Sequence, residues 1–424
     1  MIVSPARSAA YEVILRVFEH DAYADRAFAT AADGLDGRDR ALAQRLAYGT
    51  VQRVRTLDHA IEILGGRRVD KLDPPVRAAL RLGAYQLGYV EGVPRYAAVN
   101  ESVELVRRAR LARAVAFTNA VLRRLTDGIG PLLAGLSEQT PAEAALKHSY
   151  PDWVAETWWR DLGADDARAL MRAQNEPHPA VVRVGRRGDG RVDGRPDPDV
   201  PGALHVDRVD ERALAEGLLF PQSVGSQLAG LAVGAREGER VLDCCAAPGA
   251  KTAQLAERAA EVVAVEVHEG RARELEENVR RLGAESVRVV RADARALPPE
   301  LTGFDRALVD APCSGLGVLN ARPVLRWRAR PLPELQLELL RAAAERVRPG
   351  GALLLSVCTI NAGENEEVVD ASGLEPDPSL AEEWPRFRHP RRPEFLLTLP
   401  HVHGTSGFFV ARLRRRSTVG WGYS

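Results

Sequence analysis

Two cysteines of this chain stand where a thiol could react. Cys313 lies in DAPCSGLG and Cys358 in SVCTI, each at the carboxyl end of an apolar run and beside turn residues. The thiolate is the nucleophilic form of cysteine, so chemistry at these positions means addition of sulfur to a substrate, helped by surroundings that favour deprotonation. Asp310 opens the first segment and puts a carboxylate close to Cys313 in the chain. Cys244, inside RVLDCCA, reads as a small buried hydrophobe, the usual fate of a lone cysteine on an apolar strand. Four cysteines in 424 residues form no disulfide framework, and with nine scattered His they fit no zinc pattern, so no metal is expected.

A second cluster is DCCAAPGAKT, Asp243 to Thr252. Its small residues and Gly249 let the backbone turn tightly and approach a ligand before a helix begins. The dinucleotide fingerprint G-x-G-x-x-G is absent, and Ala250 rather than Gly precedes Lys251, which removes the phosphate-binding loop as well. The next apolar run, VVAVEV, ends near Glu266, about 20 residues past the loop, where an acid accepts hydrogen bonds from ribose hydroxyls. Asp293, after VRVVRA, is placed to receive an adenine amino group. Carboxylates at the ends of several strands, without a phosphate cradle, suit S-adenosylmethionine better than NAD or ATP.

Such residues need strands that end together. From about residue 216 the runs RVLDCCA, VVAVEV, VRVVRA, RALVDA and GALLLSVCT alternate with helical stretches, the pattern of a Rossmann-like α/β domain whose ligands lie beyond the carboxyl ends of its strands. In the usual methyltransferase strand order the fourth and fifth strands are neighbours, which would turn Cys313 and Cys358 toward one crevice. The N-terminal part is helical in period. LDPPVRAALRLGAYQLGYV starts a helix at Pro74 and Pro75 and spaces Val76, Leu80, Leu82 and Tyr85 as a helix requires. The expected organisation is multidomain: an all-α domain over 1–139, a linker and small α+β region over 140–215 with an exposed loop RGDGRVDGRPDPDVPG, and the α/β domain over 216–424.

DCCAAPGAKT, DAPCSGLG and SVCTINAGENE resemble the cofactor loop, the Pro-Cys motif and the Thr-Cys-type motif of RNA cytosine-5 methyltransferases. LDPPVRAALRLGAYQLGYV, VPRYAAVNESVELVRRAR and FTNAVLRRL resemble the NusB-like domain carried by one branch, the Sun or ribosomal RNA small subunit methyltransferase B family. The resemblance spans nearly the whole chain. It implies Cys358 as the nucleophile, Cys313 as the product-release thiol and Asp310 as an acid that contacts the cytosine near the methyl donor. It also implies S-adenosylmethionine contacts from Cys245, Ala246, Ala247, Pro248, Gly249, Ala250, Lys251, Glu266, Asp293 and Asp310. Where the family pattern has Gly, Asp and Thr, this chain has Ala250, Glu266 and Val357, and its Gln222-Ser223 and Ser406 depart too; none removes a catalytic residue.

Lys plus Arg equals Asp plus Glu at 58 each, which excludes a uniformly basic coat but not local patches. Between Arg107 and Arg124 lie six Arg and no acid, so Arg107, Arg108, Arg123 and Arg124 are candidate RNA contacts, with a solvated helix face as the plain alternative. ARPVLRWRARP combines four Arg with a Trp; Arg326, Trp327 and Arg328 read either as a surface that binds phosphate and stacks on bases or as local packing. The C-terminal stretch should close the sheet with a hairpin that buries Phe408 and Phe409. No apolar run approaches the roughly 18 residues of a membrane span, and no secretory signal is present, so a cytoplasmic, monomeric protein is expected. The partner implied is RNA, 16S ribosomal RNA or an assembling small subunit, and the reaction is carbon-5 methylation of a cytosine. Transfer RNA or large-subunit RNA is the alternative substrate. A non-catalytic, antitermination-like RNA-binding factor is the alternative of another class, and it has no need of Cys313, Cys358 and Asp310 together.

Overall fold

The computed structural model describes residues 3–177, 179–188 and 190–414; Arg415 and Arg416 of the C-terminal basic run lie outside the described residues. The chain forms two compact units, one made of Met1–Glu176 with Leu319–Arg328, the other of Pro177–Val318 with Ala329–Ser424. The stretch 140–215 is thereby shared, its helical part in the first unit and its strands in the second.

The first unit contains α1 (Pro5–Glu19), α2 (Ala24–Ala31), α3 (Gly37–Gln52), α4 (Val54–Gly65), α5 (Pro74–Tyr89), α6 (Arg95–Arg108), α7 (Ala112–Ala134), α8 (Pro141–His148), α9 (Asp152–Leu162) and α10 (Ala164–Ala173). Helix α5 starts at Pro74, where the absent N–H is no loss, and Val76, Leu80, Leu82 and Tyr85 are all buried. They join Ile14, Leu46, Leu57, Ile61 and Leu125 in one core. At Gly49 of α3 an added Cβ would stand 1.9 Å from the Tyr85 hydroxyl oxygen, so glycine is what lets that ring lie against the helix.

Leu319–Arg328 completes this unit rather than forming a surface. Arg326 is fully buried, and its guanidinium donates to the carbonyls of Gln52 (3.1 Å), Ser149 (3.1 Å) and Gln174 (3.3 Å), to Asn175 Oδ1 (2.8 Å) and to the Tyr150 hydroxyl (3.0 Å). Gln52, Ser149 and Gln174 end α3, α8 and α10, so one cation satisfies carbonyls that three helices leave unpaired and faces the negative ends of their dipoles. Burial still pulls the Arg326 guanidinium down to about 10. Trp327 donates its indole N–H to the Val51 carbonyl at 2.7 Å, and Arg328 donates to the carbonyls of Val17, Asp21 and Ala22 at the end of α1. The reading of Arg326, Trp327 and Arg328 as an RNA surface is therefore corrected: these donors are spent on helix carboxyl ends.

The second unit has a small antiparallel sheet of β1 (Ala180–Val184), β2 (Arg195–Pro196), β3 (Ala203–Val206) and β4 (Leu219–Pro221), in the order β2-β3-β1-β4. Its main sheet contains β5 (Arg240–Asp243), β6 (Glu261–Glu266), β7 (Val287–Arg291), β8 (Phe304–Asp310), β9 (Val347–Val357), β10 (Glu375–Pro376), β11 (Leu396–Thr398) and β12 (Phe408–Arg414). The order is β10-β12-β9-β8-β5-β6-β7, with β11 paired to β12. Strands β5 to β9 are parallel, and β12 runs antiparallel to β9, where Phe408 and Phe409 are buried as the closing hairpin required. The central strands are apolar on both faces, as a parallel sheet covered by helices demands. Among the described residues no helix is long and apolar enough to cross a membrane.

Candidate active site

Parallel β8 and β9 pair as far as Asp310 with Ser356, so the residues just beyond them emerge side by side. Cys313 and Cys358 follow, and their sulfurs are 3.4 Å apart. The loop after Cys313 is fastened back onto the strand ends. Gly317 N–H donates to the Cys358 carbonyl at 3.0 Å, and the Gly317 carbonyl accepts from Gly407 N–H at 2.8 Å. A Cβ at Gly317 would lie 2.0 Å from the Gly407 oxygen, so only glycine permits this approach.

Beneath the thiols lies a fully buried carboxylate, Glu364. Its Oε1 accepts from the N–H groups of Ser314 (2.9 Å) and Leu332 (3.0 Å) and from Gln336 Nε2 (3.1 Å). Its Oε2 accepts from the Ser314 hydroxyl and from Asn361 Nδ2 at 3.2 Å. Ser314 and Thr359, the residues after the two thiols, also share a hydroxyl contact of 2.8 Å. A buried charge held by this many donors is a rigid post. Sequence reasoning missed Glu364, because a single acid in GENEE carries no periodic or spacing signal.

Lys251 Nζ donates to Asp310 Oδ2 at 2.7 Å and stands 5.2 Å from the centre of the Phe408 ring, while the Ser356 hydroxyl donates to Asp310 Oδ1. The cation of the loop is thus engaged by the carboxylate beside the thiols. Asp243, at the end of β5, is buried, accepts from Thr252 Oγ1 at 2.7 Å and has an unpartnered Oδ1. Burial pushes its carboxyl up to about 7. The Cys313 thiol is also pushed well up, first by its hydrogen bond with Cys358 and then by burial. Burial likewise raises Cys245 and holds it as a thiol.

The loop Cys245, Ala246, Ala247, Pro248, Gly249, Ala250, Lys251 runs between β5 and the helix Ala250–Ala256. The following helix Glu269–Arg281 pins it, with Arg271 donating to the Ala247 carbonyl (2.8 Å) and Asn278 to the Pro248 carbonyl (2.9 Å). Glu266 ends β6; its Oε1 accepts from His268 N–H at 2.9 Å and its Oε2 lies 3.7 Å from Arg271 Nε. Asp293 follows β7, and the Arg295 guanidinium beside it lowers its carboxyl and spans both its oxygens, at 3.1 Å and 2.7 Å. Glu266, Asp293 and Asp310 are thus three carboxylates at the carboxyl ends of β6, β7 and β8 of the parallel sheet, with the loop lysine neutralised by one of them. That donor set fits a ligand rich in hydroxyl and amino groups and carrying positive charge, as S-adenosylmethionine does, and does not fit a pyrophosphate. The other predicted residues, Arg107, Arg108, Arg123 and Arg124, lie on α6 and α7 of the helical unit; all are exposed, Arg107 pairing with Glu104 and Arg124 donating to the Leu64 carbonyl.

Residues 231–414 match the family model of 16S rRNA methyltransferase RsmB/F, and residues 4–127 match that of the NusB family. A probable ribosomal RNA small subunit methyltransferase B of Bacillus subtilis is 30% identical over 97% of this chain and 98% of its own length. The ribosomal RNA small subunit methyltransferase B of Thermus thermophilus is 37% identical over 89% of each chain. The crystal structure of PH0851 shares the fold with a TM-score of 0.78 at 25% identity, over 98% of this chain and all of that one. By these matches, and with its NusB-type helical unit and Rossmann-like unit both in place, the chain belongs to the ribosomal RNA small subunit methyltransferase B family.

Proposed function

We propose that the protein methylates carbon 5 of a cytosine in 16S ribosomal RNA through a covalent adduct between that base and Cys358. The observation that carries this reading is the 3.4 Å approach of Cys313 and Cys358 at the ends of adjacent parallel strands, with Asp310 between Lys251 and Ser356 beside them. Carbon 5 of cytosine is a weak nucleophile. Addition of the Cys358 thiolate at carbon 6 converts the ring to an enamine with electron density on carbon 5. Asp310 accepts from the exocyclic amine and from ring nitrogen 3 once that nitrogen has taken a proton from water, and Lys251 fixes that carboxylate's direction. When bound, S-adenosylmethionine would supply the electrophilic methyl group and leave as S-adenosylhomocysteine, with Glu266, Asp293 and the Cys245–Lys251 loop as its holders. Loss of the carbon 5 proton to water restores the 5,6 double bond and expels Cys358 as thiolate, and nitrogen 3 returns its proton to water. Cys313, 3.4 Å from Cys358, hydrogen-bonds the departing sulfur. The base must leave any stack to be reached, so the target is single-stranded or flipped.

Bisulfite sequencing of ribosomal and transfer RNA, with and without the active protein, tests the reading. One cytosine of 16S RNA should lose its protection when the protein is absent. A protected site in transfer or large-subunit RNA instead would replace the substrate, and no change at any cytosine would overturn the reaction in favour of an RNA-binding factor.

A further inference from the structure

We propose that the helical unit carries an RNA-docking pocket in which Arg67, Lys71, Arg110 and Arg113 surround Phe117, taking the phosphates and an unstacked base of a single strand; the proposal rests on the reading that the chain modifies RNA. These residues line a cavity of 530 Å³ whose lining holds one acid, Asp73. All four cations are exposed. Arg67 and Lys71 come from the α4–α5 connection, Arg110 from the α6–α7 turn and Arg113 from the first turn of α7, so two separate segments converge their charge on one concavity. A solvated stripe along one helix does not do this.

Two details set the pocket apart from a merely basic surface. Arg110 has φ +61°, in the turn just past the end of α6, where an L side chain is strained and glycine or asparagine is the usual residue. The backbone gains nothing from arginine there, and strain tolerated at an exposed position is the mark of a side chain with a task. Arg113 sits in the first turn of α7, which contains no acid, so a cation is added to the positive end of the helix dipole. A phosphate at this helix start relieves that repulsion. Phe117 is half-buried with the Arg67 guanidinium 5.8 Å from its ring centre, the kind of aromatic and guanidinium pair on which unpaired bases stack.

The full-length protein is titrated with a fluorescent single-stranded oligouridylate over a series of KCl concentrations, and methyl incorporation into 16S RNA is measured separately. In Arg67→Gln/Arg110→Gln/Arg113→Gln the slope of log affinity against log salt should fall by about 2, since each single-strand phosphate contact contributes about 0.7. Arg110→Gly should bind oligouridylate several-fold more weakly without lowering Tm, because the backbone strain is relieved while the cation is lost. An unchanged slope, or normal binding by Arg110→Gly, overturns the pocket. Equal loss of a polyglutamate peptide overturns the assignment to RNA. Methylation by the wild type with an unchanged slope in the triple variant rejects the pocket alone; a reduced slope without any methylation by the wild type rejects the reaction alone.

Discussion

The carboxylate of Glu364 takes both the main-chain N–H and the hydroxyl of Ser314, so the residue after Cys313 is held by a side chain six positions past Cys358. With Leu332, Gln336 and Asn361 as further donors, one buried acid fixes both thiol-bearing segments relative to each other. Glu364→Gln exchanges an acceptor pair for one acceptor and one donor, leaving at least one partner unmatched at about 1–3 kcal/mol. We expect Tm to fall by several degrees and kcat by at least about tenfold, with cofactor Kd and RNA KM within about twofold of wild type. Normal kcat in the folded variant would show that thiol placement does not depend on this post.

If Cys358 is the adding thiolate, Cys358→Ala should reduce methyl transfer by at least ~10³-fold, because without the adduct carbon 5 stays a weak nucleophile. Cofactor affinity, read by calorimetry, should stay near the wild-type value. Normal turnover would sink the nucleophile assignment.

Cys313→Ala removes the sulfur 3.4 Å from Cys358. If that thiol assists departure of the Cys358 thiolate, the variant should accumulate a denaturant-resistant protein–RNA band while methyl addition continues. Absence of the band in a preparation that still consumes S-adenosylmethionine would assign release to another group.

Asp243 gives stability a pH signature. Its carboxyl is neutral in the folded protein up to about 7 and ionises near the ordinary 3.8 when exposed. The folded state therefore holds the proton more tightly, and the stability it confers is complete below about 4 and is lost as pH rises to about 7. Asp243→Asn stays neutral and can still accept from Thr252. In chemical denaturation the variant should gain on the wild type between about pH 4 and 7, toward a total on the order of 4 kcal/mol at ~1.4 kcal/mol per pKa unit. A difference that is flat with pH would mean the wild-type carboxyl is ionised when buried.

What the sequence made legible is what has a period or a fixed place. The inner face of α5 follows from helical spacing at Val76, Leu80 and Tyr85, and the convergence of Cys313 and Cys358 follows from strand order alone. The loop Cys245–Lys251 was readable because small residues after an apolar strand permit a turn. Glu364 was not, since its partners are scattered from Ser314 to Asn361 and meet only in three dimensions. Arg326 and Trp327 misled for a physical reason: a guanidinium and an indole suit phosphates and bases, and equally suit carbonyls at helix carboxyl ends, and composition does not distinguish the two acceptors. Asp293 was placed correctly at a strand end, but its clamp by Arg295 depends on a local turn that spacing does not announce.

Leu319–Arg328 belongs to the helical unit although it is encoded far downstream of Glu176. During synthesis the ends of α3, α8 and α10 emerge with their carbonyls uncapped and wait until Arg326 is made, a delay of roughly 10 to 50 s at ~5–20 residues per second. The nascent helical unit is thus incomplete while most of the parallel sheet is being translated. Severing the chain after Glu176 leaves two fragments, neither holding its full set of parts: one without its buried guanidinium, the other with Trp327 and Arg326 exposed to water.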